Sequence, residues 1–311
     1  MKFQQRALLI ALFGVSCVAG TAGALAANSA VSSGSTSAPA PAPAAAPVLP
    51  ALTAQQIVEK NLAARGGGAA WRSVQSVVYS GSLDAGRVRP DNGIHPSTTE
   101  RLIEKPGKSA KPGQAPEQHM TGNDEGTPVS LPYTLYMKRP GKQRVEVKFK
   151  DETLIQTYDG KTGWKLQPYL HRGVLPFSAE EMKKAQQFQD IDGPLFDYAA
   201  KGTKVNLDGT DLVNGNPAYR LKLTLKSGDV RHIWIDATSF LDVQIDGWRR
   251  LNGHDVAQYT ALSDYRTVDG VKLPFLMDTR TAGLPDHEKI IVEKATLNPK
   301  IDDTLFGKPS L

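Results

Sequence analysis

From Pro217 to Ile245 apolar and polar residues alternate almost one for one. Tyr219, Leu221, Leu223 and Leu225 are separated by Arg220, Lys222, Thr224 and Lys226. A strand sends successive side chains to opposite faces, so one face here is apolar and the other wet. Ser227-Gly228-Asp229 supplies a turn, Ile233 and Ile235 resume the pattern, and Leu241, Val243 and Ile245 carry it on after Asp236-Ala237-Thr238-Ser239. Three short strands in succession predict an antiparallel meander with one greasy face. Burying such side chains contributes about 1.5–3 kcal/mol each, so something must cover that face.

The same alternation runs through Tyr133, Leu135 and Met137, then, after Pro140-Gly141-Lys142, through Val145, Val147 and Phe149. Leu154 to Tyr158 leads into the turn Asp159-Gly160-Lys161-Thr162-Gly163 and Trp164. Val74 to Leu83 reads as a first strand. Val256 to Arg266, Leu273 to Thr279 and Lys289 to Leu297 read as the last, with Asp269-Gly270 as a hairpin turn. The stretch from Asp84 to Pro132 is rich in Pro, Gly, Lys and Asp and is expected to be a loop insertion.

Two helical regions stand out. Thr53 with Gln56 has capping-box spacing, and Gly66-Gly67-Gly68 stops that helix. Ser178-Ala179-Glu180-Glu181 opens the second, which is interrupted near Gly193-Pro194. It falls between two groups of strands, a position suited to crossing the open face of the sheet. About ten or eleven strands and two or three helices, with no βαβ rhythm, argue for α+β: a large antiparallel sheet with helices gathered on one side. A sheet this wide should curl.

Residues 1–26 are expected to be a signal peptide. Lys2 and Arg6 form a basic start, Ala7 to Val18 an apolar run, and Ala24-Leu25-Ala26 a small-x-small cleavage site. Cys17 is the single cysteine. Gly14-Val15-Ser16 before it lacks the leucine-like residue of a lipid-attachment site, so cleavage near Ala26 is preferred to a lipid-anchored form. The processed chain then has no thiol chemistry. Residues 27–50, built from Ala, Pro, Ser and other uncharged residues, read as a disordered tether, leaving 51–311 as the folded domain. Loss of Lys2 and Arg6 lowers the formal charge by two from +5, and the remainder is spread along the chain, which argues against nucleic acid.

Catalytic motifs are missing: no Gly-x-Ser-x-Gly, phosphate loop, His-Glu-x-x-His or Gly-x-Gly-x-x-Gly occurs. His95 and His119 lack partners at metal-ligand spacing. His232 falls on the polar face of its strand and His254 in a turn. Asp242 and Asp246 alternate with the apolar set and are expected on a solvated face. No cofactor, metal or catalytic residue is indicated.

Four stretches resemble the LolA/LolB-like superfamily, specifically periplasmic outer-membrane lipoprotein-sorting proteins. They are Ala64-Arg65-Gly66-Gly67-Gly68 with Trp71; Tyr158 to Trp164; the Asp264-Tyr265-Arg266-Thr267-Val268-Asp269-Gly270-Val271-Lys272-Leu273-Pro274 hairpin; and Leu297-Asn298 with Asp302 to Phe306. The resemblance implies an incomplete β-barrel with helices in its concave face, and a periplasmic carrier for lipid or lipoprotein acyl chains, with transient membrane association. An envelope sensor or interaction protein with a protein partner is the alternative, and an exported enzyme comes third. The expected lining of the apolar cavity is Tyr133, Leu135, Met137, Val145, Val147, Phe149, Trp164, Tyr219, Leu221, Leu223, Ile233, Ile235, Val243 and Ile245.

Overall fold

The computed structural model describes residues 49–89, 93–94, 127–168, 173–187, 190–251, 254–284 and 287–310. The signal peptide, nearly all of the tether, Cys17, and His95 and His119 of the insertion lie outside them. The described chain opens with helices α1 (Ala54–Ala64) and α2 (Gly67–Ser73). Strands β1 (Ser76–Arg89), β2 (Gly93–Ile94), β3 (Thr127–Lys138), β4 (Lys142–Phe149), β5 (Glu152–Tyr158), β6 (Gly163–Leu166) and β7 (Val174–Pro176) follow. Helix α3 (Ala179–Gln187) leads to β8 (Lys204–Val213), β9 (Asn216–Thr224), β10 (Val230–Asp236), β11 (Asp242–Leu251), β12 (His254–Val268), β13 (Val271–Thr281) and β14 (Glu288–Leu297). A 3₁₀ turn at Asp303–Phe306 precedes the end.

All the strands join one antiparallel sheet in the order β7-β6-β5-β4-β3-β1-β14-β13-β12-β11-β10-β9-β8, with β2 beside β1. Nearly every neighbour in that path is a neighbour in sequence. The exceptions are β3 with β1, which skips the two-residue β2, and β1 with β14, paired from Val77 opposite Leu297 to Asp84 opposite Lys289, which fuses two meanders from the two ends of the domain. The ends of the path, β7 and β8, are not paired with each other, so the sheet curls without closing into a barrel. The chain passes from one edge to the other through α3 and residues 190–203.

The strands reach into the stretch expected to be an insertion. β1 runs on to Arg89 and β3 starts at Thr127, with Leu83 opposite Leu131 and Asp84 opposite Ser130. β8 has no counterpart in the expected strands. It is an edge strand whose residues are mostly exposed, and the alternation of Val205 and Leu207 is cut short by the bulge between Leu207 and Gly209.

The helices lie on the concave side. Ile57 and Val58 of α1, with Leu195, cover Tyr219, Leu221, Leu223, Ile233 and Ile235. Trp71 of α2, with Ile191 and Phe196, covers Val77, Met137, Val271, Leu273, Phe275 and Val292. Ala185 of α3 meets Tyr158 and Phe177. Thr53 caps α1 as its sequence predicts: Oγ1 accepts from Gln56 N at 3.2 Å, and Gln56 Oε1 accepts from Thr53 N at 2.9 Å. The helix stops at Gly66, where φ is +108° and a Cβ would sit 2.1 Å from the Gly270 carbonyl oxygen. Lys272 N then donates to the Arg65 carbonyl at 3.0 Å. The glycine stop and the Asp269-Gly270 hairpin are therefore packing partners. Across the outer face runs a C-terminal strap. Lys138 Nζ donates to the Ile301 carbonyl, Arg144 to Leu305, and Thr157 to Phe306.

Candidate ligand-binding trough

Among the described residues, one apolar cluster of the concave face is drawn from strands alone. Leu83, Leu131, Tyr133, Val145, Val147 and Leu154 form a buried cluster, flanked by half-buried Val129, Leu135, Phe149 and Ile290. Every one of these residues belongs to a strand. Alternation brings them together: Tyr133 is opposite Val147, Val147 opposite Leu154, and Leu83 opposite Leu131. A β-bulge at Ser80/Gly81, where Tyr79 is opposite Ala295 but Leu83 opposite Ile290, resets the phase and turns Ile290 onto this patch.

The patch has polar groups at its margin. Gln156 is 8% exposed, and its Oε1 has no hydrogen-bond partner. Burial pushes the Tyr79 phenol up to about 12, against a smaller opposing pull from Arg65, and raises Tyr133 further, with help from Tyr79. Both phenols stay neutral and able to donate at physiological pH.

Between this patch and α1 lies a buried polar node. Asn61 Nδ2 donates to the Phe240 carbonyl at 2.8 Å and to Asp242 Oδ1 at 3.1 Å. Arg65 Nη1 lies 3.7 Å from Asp242 Oδ2 and donates to the Asp192 carbonyl at 3.1 Å. Tyr265 Oη donates to the Asp242 carbonyl at 2.8 Å. Burial raises the Asp242 carboxyl above its usual range, against the opposing pull of Arg65 and Asn61. The Asp192 carboxylate, 1% exposed, accepts from Arg139 and Lys201, each at 2.7 Å. This node fastens α1 and the 190–203 crossing to the sheet. Among the described residues, no three His, Cys, Asp or Glu side chains converge as a metal site.

The fourteen expected lining residues fall into separate groups. Tyr133, Leu135, Val145, Val147 and Phe149 come together in the cluster formed by strands. Met137 packs in the Trp71 cluster. Tyr219, Leu221, Leu223, Ile233 and Ile235, with Ile245 beside them, lie under α1.

Val243 and Trp164 are on the outer face. In β11 a bulge sets Gln244 opposite Trp234 but Asp242 opposite Ile235, so Asp242 turns inward and Val243 joins Val213, Ala218 and Trp234. The expectation of a solvated Asp242 is corrected by that one extra residue: it is 8% exposed. Trp164 pairs with Thr157, which bonds the strap, and Lys308 Nζ stands 5.1 Å over its ring. Leu83, Leu131 and Leu154 were absent from the expected lining. Leu131 lies two residues before Tyr133, and a strand continued back across Pro132 would have found it.

Two open grooves of about 650 and 580 Å³ flank the strap on the outer face. Lys138, Lys300 and Asp302 are among the residues lining the first, which makes it unlike a site for hydrocarbon.

No family model and no curated protein matches the sequence. Among solved structures, the chain is similar to a LolA superfamily protein from Nitrosomonas europaea, with 13% identity over 83% of this chain and 99% of that one, at a TM-score of 0.48. A DUF1329 family protein from Desulfovibrio piger gives 13% identity over 82% and 97%, at 0.48. A Vibrio parahaemolyticus domain described as an outer membrane lipoprotein-sorting protein gives 10% over 80% and 94%, at 0.46.

Proposed function

We propose that this protein is an exported periplasmic carrier that holds acyl chains of lipids or lipoproteins in the trough lined by Leu83, Leu131, Tyr133, Val145, Val147 and Leu154, and that it binds without catalysis. The observation that carries this reading is the apolar cluster of the concave side to which, among the described residues, only strands contribute, whereas the other concave clusters each include a helical or crossing-segment residue. The four sequence stretches resembling the lipoprotein-sorting family support it, and the basic start, apolar run and Ala24-Leu25-Ala26 support export.

The test is a fluorescence titration of the purified, delipidated chain with dansyl-undecanoate. Saturable binding is expected in the wild type and in Lys222→Glu, and a loss of at least tenfold in affinity in Val129→Glu, at the half-buried margin of the cluster, with the circular dichroism preserved. Leu223→Glu, fully buried under α1, should instead unfold. Absence of saturable binding in the wild type would sink the carrier reading. Sequencing of the mature N-terminus from the envelope fraction checks export, with Ala27 expected first.

A second reading, an interaction protein on this scaffold, is favoured by the outer face, where Trp248 is 40% exposed and Tyr259 and Ile291 are each 43% exposed. A stable partner captured by the wild type and lost in Trp248→Ala, with acyl binding absent, would favour it.

A further inference from the structure

The open groove of about 580 Å³ beside the C-terminal strap has a floor set by strand register. Val78 is opposite Tyr136, and Tyr136 is opposite Arg144. These three form one cross-strand row on the outer face of β1, β3 and β4, with neighbouring Cβ atoms about 5 Å apart. Ile155 of β5 completes the floor, and Lys300, Asp302 and Lys308 of the strap stand around it. The volume lies within the roughly 300–1,000 Å³ of small-molecule sites.

The donors around this groove are held in place but not used up. The Arg144 side chain is 12% exposed. Its Nε donates to Glu146 Oε1 at 2.7 Å and its Nη1 to the Leu305 carbonyl at 3.0 Å, which leaves Nη2 without a partner among the described residues. The Tyr136 hydroxyl and the Lys300 ammonium have none there either. Burial, with Glu146 adding to it, raises the Tyr136 phenol, so it stays protonated and able to donate. Asp302, the carboxylate on the lining, accepts from Thr304 N at 2.8 Å and from Thr304 Oγ1 at 2.7 Å. Glu146 offsets Arg144 and Asp302 offsets one lysine, so one positive charge around the groove is unmatched.

A carboxylate is gripped best by two adjacent guanidinium nitrogens, and Arg144 has no such edge left. Separate donors instead suit the several oxygens of a phosphate, and a single surplus charge suits its diester. We propose that this groove binds a phosphodiester that carries an apolar part. Arg144 Nη2, the Tyr136 hydroxyl and the Lys300 and Lys308 ammoniums donate to the phosphate, and the apolar part lies on Val78 and Ile155. A phospholipid headgroup and a soluble phosphodiester share that chemistry. The groove is on the face opposite the trough, so this inference is independent of the acyl-binding reading.

Trp164, with Lys308 Nζ 5.1 Å over its ring, is the reporter, its emission being the signal lost in Trp164→Phe. Dihexanoylphosphatidylglycerol, below its critical micelle concentration, should shift that emission saturably in the delipidated full chain. Dihexanoylglycerol, which lacks the phosphate, should not. Glycerol phosphate, a monoester without an apolar part, should bind about tenfold more weakly than the lipid. Tyr136→Phe keeps every charge and should weaken the lipid about fivefold. Lys300→Gln, at an exposed position, should do the same, while Lys204→Gln on edge strand β8 should leave affinity unchanged. Circular dichroism checks that each variant is folded. Weaker binding of glycerophosphoglycerol than of the lipid identifies a lipid headgroup as the source, and equal binding a soluble phosphodiester, provided both depend on Tyr136 and Lys300. No saturable shift with either phosphodiester, a shift unchanged in both Tyr136→Phe and Lys300→Gln, or tighter binding of glycerol phosphate overturns the proposal.

Discussion

Arg65 Nη1 stands 3.7 Å from Asp242 Oδ2 and donates at 3.1 Å to the Asp192 carbonyl, so a single guanidinium ties the end of α1 to strand β11 and to the crossing segment. Both side chains of the pair are about nine-tenths buried. The ring of Trp71 lies 4.6 Å beneath the guanidinium, and Trp71 Nε1 donates to the Arg65 carbonyl at 3.1 Å. The node thus fixes which stretches of sheet α1 and the crossing segment cover.

Removing Arg65 leaves Asp242 buried with Asn61 as its remaining side-chain partner. Arg65→Met is expected to lower the unfolding free energy by about 3–5 kcal/mol in urea titrations. Adding Asp242→Asn should recover most of that loss, because the uncompensated charge goes with it. A double variant no more stable than Arg65→Met would refute this account of the node.

Adjacent glycines should respond differently. Gly66→Ala must take a side chain at φ +108° and push against the Gly270 carbonyl, 2.1 Å from the new Cβ. Gly67 has φ +83° with nothing within 4 Å. Gly67→Ala should therefore show only the backbone strain of about 1–3 kcal/mol, and Gly66→Ala a clearly larger loss. Thermal melts of the two variants decide it, and equal shifts would show that the hairpin yields.

The strap should loosen in acid. The Asp303 carboxylate accepts from Lys138 at 2.7 Å and from Lys142 at 2.6 Å, and these two bonds hold its pKa down to about 2 from an ordinary 3.8. The folded state therefore binds this proton more weakly than the unfolded chain. Its stabilisation is fully present above pH 3.8 and is lost as pH falls from there toward 2. Asp302, lowered by its bonds to Thr304, acts in the same direction. Trp164 fluorescence reports the strap through Lys308. The part of the acid transition absent from Asp303→Asn is the expected contribution, and identical acid profiles would contradict it.

The domain should begin at Leu49. Leu49 packs beside the cluster under α1, and Tyr219 Oη donates to the Pro50 carbonyl at 3.0 Å. A chain starting at Leu49 should melt with the full-length protein. One starting at Leu52 should lose about 1–2 kcal/mol, a hydrogen bond plus partial burial of one leucine. Coincident melts would return these residues to the tether.

Local rules carried much of the fold. Period-2 alternation alone put Tyr219, Leu221, Leu223, Ile233 and Ile235 on one buried face, and Tyr133, Leu135, Val145 and Val147 on another stretch of it. Thr53 and Gln56 marked the start of α1 three residues apart. Those features depend on neighbours along the chain, and the one-dimensional string contains them. Three others do not. An extra residue opposite Trp234/Ile235 exchanges the faces of Asp242 and Val243, and a bulge is set by the partner strand. The pairing of β1 with β14 joins residues 77 and 297, and no local pattern announces it. The division of one greasy face into separate buried clusters came last. It follows from where α1, α2 and the 190–203 crossing are fastened, and those fastenings, Arg65 to Asp192, Lys272 to Arg65 and Asn61 to Phe240, are contacts between distant segments that exist only once the sheet has curled.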